Sequence, residues 1–263
     1  MMKKIFMVIA GIAAMLSACD NVDSNDRLIY VPPVAVGRCV LIEDFTGQKC
    51  LNCPRAAEVI EQLQKQYGAD TVIAVAIHAG PLSVGKKAGA TGLRTATGDL
   101  YYKHWKIDSQ PSGLVNRRGK PSNDTRWPSL VYQEIQQKAA VSIKLAVEYD
   151  TQTRTSHIKA TVNTLGKSLS GRLQLWVLED NIKAAQRMPD GNYNNSYVHN
   201  HVFRAAVNGV WGDDIRIDKD AYVQKEYMCK LEEGWDAACV SIVAFVYTDD
   251  EGVLQATRKA VVK

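Results

Sequence analysis

The residues of this chain best suited to chemistry are Cys50 and Cys53, in the run Lys49-Cys50-Leu51-Asn52-Cys53-Pro54. A thiolate at the start of a helix is stabilised by unpaired backbone N–H groups and the positive end of the helix dipole. That lowers the pKa of the first cysteine, so Cys50 is the candidate nucleophile, and Lys49 adds a nearby positive charge. Cys53, about one helical turn later, is placed to attack a mixed disulfide from within, so the pair would cycle between dithiol and disulfide. The competing reading of the same two residues is a permanent disulfide that caps the helix.

Other reactive residues stand alone or in weaker pairs. His78 ends an apolar run on the edge of the sheet where functional groups collect. It either tunes the cysteine pair and contacts substrate, or bonds to the loop at Gly80-Pro81. Cys229 and Cys239 flank Glu232-Glu233-Gly234-Trp235 and are expected to staple that loop as a structural disulfide. Cys39, inside an apolar strand, is expected as an inert buried thiol. His199 and His201 share a strand face but have no third ligand, and no second ligand pair follows Cys50 and Cys53 at finger spacing, so neither a metal nor a cofactor is expected. Trp176, Tyr197, Phe203, Trp211 and Trp235 read as core and rim rather than as a sugar platform.

The N-terminus speaks to location. Lys3 and Lys4, the apolar run Ile5 to Leu16 and the small Ser17 and Ala18 form a secretory signal peptide over residues 1–18, too short to span a membrane. Leu16-Ser17-Ala18-Cys19 resembles the lipobox of bacterial lipoproteins, in which the cysteine is acylated and becomes the new N-terminus. Cleavage near Ala18 without a lipid is the alternative. Residues 19–36 are polar and acidic and then proline-bearing, the composition of a flexible tether. The implied partner is a membrane, held through lipid on Cys19, and the compartment is oxidising.

The elements that position these groups follow from hydrophobic period. Arg38 to Asp44 reads as a buried strand, Ala56 to Tyr67 as a helix with Val59, Ile60 and Leu63 inward, and Thr71 to His78 as a second strand, which together make a βαβ unit. A loop from Gly80 to Gly98, a helical stretch from Asp99 to Lys106, a short strand at Leu114-Val115-Asn116 and a helix from Ser129 to Ala139 opened by Pro128 complete a first domain, residues 37–139. From Val141 the period changes to two. Strands at Val141 to Tyr149, His157 to Val162, Arg172 to Glu179, Tyr197 to Ala205 and Ser241 to Tyr247, then a hairpin through Asp249-Asp250-Glu251-Gly252 to Val253–Ala256, predict a second domain, residues 140–263, built as an antiparallel sandwich.

Val40-Leu41-Ile42-Glu43-Asp44-Phe45 followed by Cys50 to Cys53 resembles the thioredoxin signature, with the same spacing from acid to first cysteine. The resemblance implies an α/β thioredoxin-like domain, a mixed sheet with helices on both faces. It implies that Asp44 is the buried acid that deprotonates the resolving Cys53, and that Pro111, in Gln110-Pro111-Ser112-Gly113, is the cis-proline set against the pair. Lys49 in place of the usual Trp, the inner pair Leu51-Asn52 and a long insertion between His78 and Pro111 depart from that pattern and bear on redox potential and partner. With the lipobox, Ala-Ile-His-Ala-Gly and Pro-Ser-Gly-Leu-Val-Asn-Arg, the order of motifs is similar to the Bacteroidetes outer-membrane lipoprotein family named for its twenty-eight-kilodalton mass. That implies attachment to the outer membrane, and the acidic residues behind Cys19 imply export to the cell surface.

Composition narrows the functions. Of 263 residues 46% are hydrophobic and 23% charged, a globular balance. A formal net charge of +4 is too small to predict a nucleic-acid partner. Two roles remain. One is a membrane-tethered thiol-disulfide oxidoreductase acting on a protein thiol or disulfide. The other is a non-enzymatic surface lipoprotein or adhesin that uses the fold as a scaffold.

Overall fold

The computed structural model describes residues 37–86 and 91–262. The signal peptide, Cys19 and the tether lie outside the described residues. Strand β1 (Val40–Thr46) leads through the cysteine turn into helix α1 (Cys53–Tyr67), then β2 (Val72–His78), α2 (Ala96–His104), β3 (Ser112–Val115) and α3 (Trp127–Ile135). Ten strands follow: β4 (Val141–Asp150), β5 (Thr155–Thr164), β6 (Leu169–Glu179), β7 (Ile182–Arg187), β8 (Tyr193–His199), β9 (Val202–Ala206), β10 (Asp213–Ile217), β11 (Tyr222–Lys230), β12 (Val240–Thr248) and β13 (Gly252–Ala260). Among the described residues no helix is long and apolar enough to cross a membrane.

The largest sheet is mixed and runs in the order β13-β12-β6-β9-β2-β1-β3, with β10 also on β6. Strand β1 pairs β2 in parallel, as a βαβ unit requires, and β3 antiparallel on its other side. β11-β5-β4 form a separate antiparallel sheet, and β7-β8 a two-stranded hairpin.

The expected boundary at residues 139/140 does not divide the packing, since the described residues on both sides of it fall in one compact unit. One residue set explains this. Leu41, Phe45, Ile73 and Ile77 from the first half meet Trp176, Phe203, Phe245 and Tyr247 from the second in a single apolar cluster around Tyr101 of α2. Tyr101 donates its hydroxyl to Val210 O (2.5 Å) and accepts from Trp176 Nε1 (3.0 Å), so its polar atom is satisfied inside that core. Alternate residues of β1 and β2, among them Val40, Ile42, Val72 and Ala74, pack instead on Ala56, Ile60 and Leu63 of α1 and on Trp127 and Val131 of α3. The far side of β6 and β12 (Leu175, Val177, Ile242, Ala244) packs on Ile158, Ala160 and Val162 of β5. Strands buried on both faces lose the period-two pattern, which is why Ile242 to Tyr247 of β12 reads in sequence as one apolar run.

Three expectations need correction here. The single strand Tyr197 to Ala205 is broken at Asn200-His201, where His201 takes φ +57°, so β8 joins the hairpin and β9 enters the large sheet against β2. Strands β7, β10 and β11 were not expected at all. The staple between Cys229 and Cys239 is absent, and both thiols are free, as is Cys39. Their loop is closed by other means. Leu231 and Trp235 are buried in the core, and Arg154 Nη2 donates to Glu232 O and Trp235 O. Cys229 lies on β11 within the apolar cluster, while Cys239 ends a short 3-10 turn beside Asp236 and Asn181.

Candidate functional site

Cys50 and Cys53 are joined as a disulfide in the turn between β1 and α1. Asn52 is the N-cap and Pro54 falls in the first turn, where its missing N–H costs nothing, so Cys53 is the first helical residue. Cys50 sits ahead of it, its N–H bonded to Gly47 O (3.0 Å). Lys49 is exposed. The pair is deeply placed, with Cys50 2% and Cys53 3% exposed.

The sheet brings the other candidates to the same end. Register sets Thr46, the last residue of β1, opposite His78, the last of β2, and pairs Phe45 with Ser112, so the preceding Pro111 lies at the level of Thr46. The Gln110-Pro111 peptide is cis, and Gln110 Nε2 donates to Thr46 O (2.7 Å) and Ala79 O (3.1 Å), which ties that bend to both strands.

Asp44 is 3% exposed, and its Oδ1 is buried without a hydrogen-bond partner. Burial first, and the neighbouring Asp124 second, push its pKa up to about 8. Asp124 is itself held by Arg55, whose Nε and Nη2 each donate at 2.9 Å. His78 is buried with Nδ1 unpartnered, so that nitrogen makes no bond to the Gly80-Pro81 loop, and its ring meets His199 edge-on at 5.2 Å. Burial drives the pKa of both histidines down, that of His199 to about 4, so each is a neutral imidazole at pH 7.

A cavity of about 510 Å³ joins these groups: Asp44, Cys53, His78 and His199 all line it. Helix α1 contributes Glu58 and Glu61 to its wall, and β8 contributes Tyr197. His201 also reaches it, but is otherwise engaged by Asp180 and Arg258.

Sequence reasoning missed the hairpin that covers this end of the sheet. Gln186 of β7 donates to Cys50 O (2.9 Å), and Arg187 N donates to Gln48 O (2.8 Å). Gln48 Nε2 returns a bond to Ala185 O (3.2 Å). A lone Gln in a polar stretch far along the chain carries no sequence signal for this role. Tyr197 was noticed, but only as a core aromatic.

Comparison with known proteins adds a family and a fold. A family model described as "Outer membrane protein Omp28" matches residues 98–263. The match begins inside α2 and leaves out the cysteine turn. HBP35 of Porphyromonas gingivalis is similar in structure over 86% of this chain and 76% of its own, with a TM-score of 0.68 and 20% identity, a likeness of fold. A domain of the outer membrane lipoprotein Omp28 from the same organism is 27% identical over 47% of this chain and 88% of its own, with a TM-score of 0.32. No curated protein matches the chain in sequence.

Proposed function

The chain belongs to the Omp28 outer membrane protein family, and from that premise we propose that it is a thiol-disulfide exchange protein tethered at the outer membrane by lipid on Cys19. In this reading β1, α1, β2 and β3 form a thioredoxin-like unit, and β4 to β13 supply a sandwich fused to it.

The observation that carries the proposal is Asp44. A carboxyl buried without a partner costs stability, and among the described residues nothing hydrogen-bonds the Oδ1 of this one. A carboxyl with a pKa of about 8, on the wall of the cavity that Cys53 also lines, suits proton transfer near neutrality. The roles then follow. Reduced Cys50, as its thiolate, attacks a substrate disulfide, forming a mixed disulfide and releasing one substrate thiolate, which takes a proton from solvent. In the fraction of molecules with Asp44 ionised, which grows toward pH 8, Cys53 gives its proton to Asp44 and attacks Cys50 Sγ, closing the Cys50–Cys53 bond and releasing the second substrate thiolate. Pro111 shapes the groove beside the pair, Lys49 adds positive charge near it, and His78, neutral at pH 7, lines the cavity beside Cys53. For a protein substrate, Gln186 must first leave the Cys50 carbonyl.

Insulin reduction by the purified protein, with Cys50→Ser as control, tests this. Wild type should be clearly faster. Equal rates would favour the second reading, a surface-binding or adhesin lipoprotein with a permanent disulfide. The near-complete burial of both cysteines favours that alternative.

A further inference from the structure

The cavity opens on one sulfur-bearing residue of the pair and not the other. Cys53 lines it and Cys50 does not. Cys50 lies under β7, where Gln186, itself 2% exposed, bonds the carbonyls of Cys50 and Gly47. With the hairpin in this position Cys50 is 2% exposed, its carbonyl covered by Gln186, and the cavity does not reach it. The space beside Cys53 is of the size that small molecules occupy, roughly 300–1,000 Å³. Its wall carries Glu58 and Glu61 and no Lys or Arg, both carboxylates being exposed and Glu61 paired with Lys65 of the next turn at 2.7 Å, which leaves Glu58 as its unpaired charge among the described residues. Tyr197, and the buried histidines whose Nδ1 (His78) and Nε2 (His199) lack partners, offer it polar contacts.

We propose that a low-molecular-weight thiol, neutral or cationic, enters this cavity and reduces the pair at Cys53. The inference rests on the exchange function proposed above. The thiolate attacks Cys53 Sγ, forming a mixed disulfide. The Cys50–Cys53 bond breaks, and its electron pair leaves on Cys50, which takes up the proton released by the entering thiol. A second thiol attacks the small-molecule sulfur of the mixed disulfide and releases Cys53, which is protonated in turn. Two thiols become one small disulfide, and the protein gains two electrons and two protons. Size excludes proteins from the cavity, and Glu58 disfavours anionic thiols.

The test uses the full-length protein in detergent. Reduction by cysteamine, 2-mercaptoethanol and 3-mercaptopropionate is compared per thiolate, each corrected by its rate on a small reference disulfide. Cysteamine should exceed 3-mercaptopropionate by about threefold, and Glu58→Gln should remove most of that gap. In a second arm cystamine should label Cys50→Ser protein, through Cys53, faster than Cys53→Ser protein, through Cys50. Faster labelling of Cys50, or no charge order among the thiols, would overturn the inference while leaving exchange intact. A native pair that no thiol reduces, dithiothreitol included, would overturn the exchange function as well.

Discussion

Asp44 couples the site to stability through pH. In the folded chain it holds its proton up to about pH 8, whereas in the unfolded chain it ionises near 3.8, the ordinary value for an aspartate. Folding therefore takes up a proton between those values, and stability falls as pH rises through that window, by up to about 1.4 kcal/mol per pH unit. Asp44→Asn, nearly equal in volume, removes that term. Urea melts at pH 5, 7 and 9 should show the variant gaining on wild type from the first pH to the second, with the gap levelling off above about 8. A pH-independent gap would mean that Asp44 is already ionised in the fold. The variant should also resolve a mixed disulfide at Cys50 more slowly, by about 10²-fold. The thiols answer a different measurement. Denatured, unreduced protein should yield titratable Cys39, Cys229 and Cys239, and Cys229→Ser with Cys239→Ser should melt within about 0.5 kcal/mol of wild type. Cys50 and Cys53 could be read in sequence because they sit at a fixed spacing where a strand meets a helix, whereas Asp44 and Pro111 were legible only through the resemblance to the thioredoxin signature. The Cys229–Cys239 pairing could not, because proximity along the chain says nothing of side chains that point to separate surroundings.

At the scale of elements the β7-β8 hairpin decides access. It is held to the cysteine turn by a few side-chain and main-chain bonds, so the loss of one should show. Gln186→Ala removes the donor to Gly47 and Cys50, and alkylation of Cys50 in the reduced protein should accelerate several-fold while the melting midpoint moves little. Unchanged alkylation would mean that the hairpin opens freely already. The β1-α1-β2 unit could be read because its apolar runs and helical period are local. The hairpin could not: Tyr193–Ser196 is exposed and polar, and the break at His201 depends on a positive φ that histidine seldom adopts. Strand β10 pairs β6 beside β9, an arrangement set by tertiary packing and not by its own five residues.

An ion pair is buried beside the apolar cluster that joins the two halves of the described chain. Arg117 donates to both oxygens of Glu43, at 2.6 and 3.2 Å, and its guanidinium lies 4.8 Å from the Phe245 ring and 4.6 Å from that of Tyr247. It thus joins β1 to β12. Nearby, Gly252, at φ +66°, comes so close to Asn116 O that any side chain would collide with it. Arg117→Met should cost about 3–5 kcal/mol in urea unfolding, because Glu43 is left charged and buried, and adding Glu43→Leu should recover much of it. A loss below about 1 kcal/mol would place the pair in solvent. At the membrane, Cys19→Ala should move the protein from washed membranes to the soluble fraction, and retention there would remove the lipid tether from the account. The central claim is that the buried pair cycles, and its reduction potential tests that most directly. Equilibration of the full-length protein against defined thiol-disulfide buffers, read by alkylation, should give a value above about −300 mV, in the range of exchange proteins. A value below about −300 mV would make Cys50–Cys53 a structural bond and contradict the account.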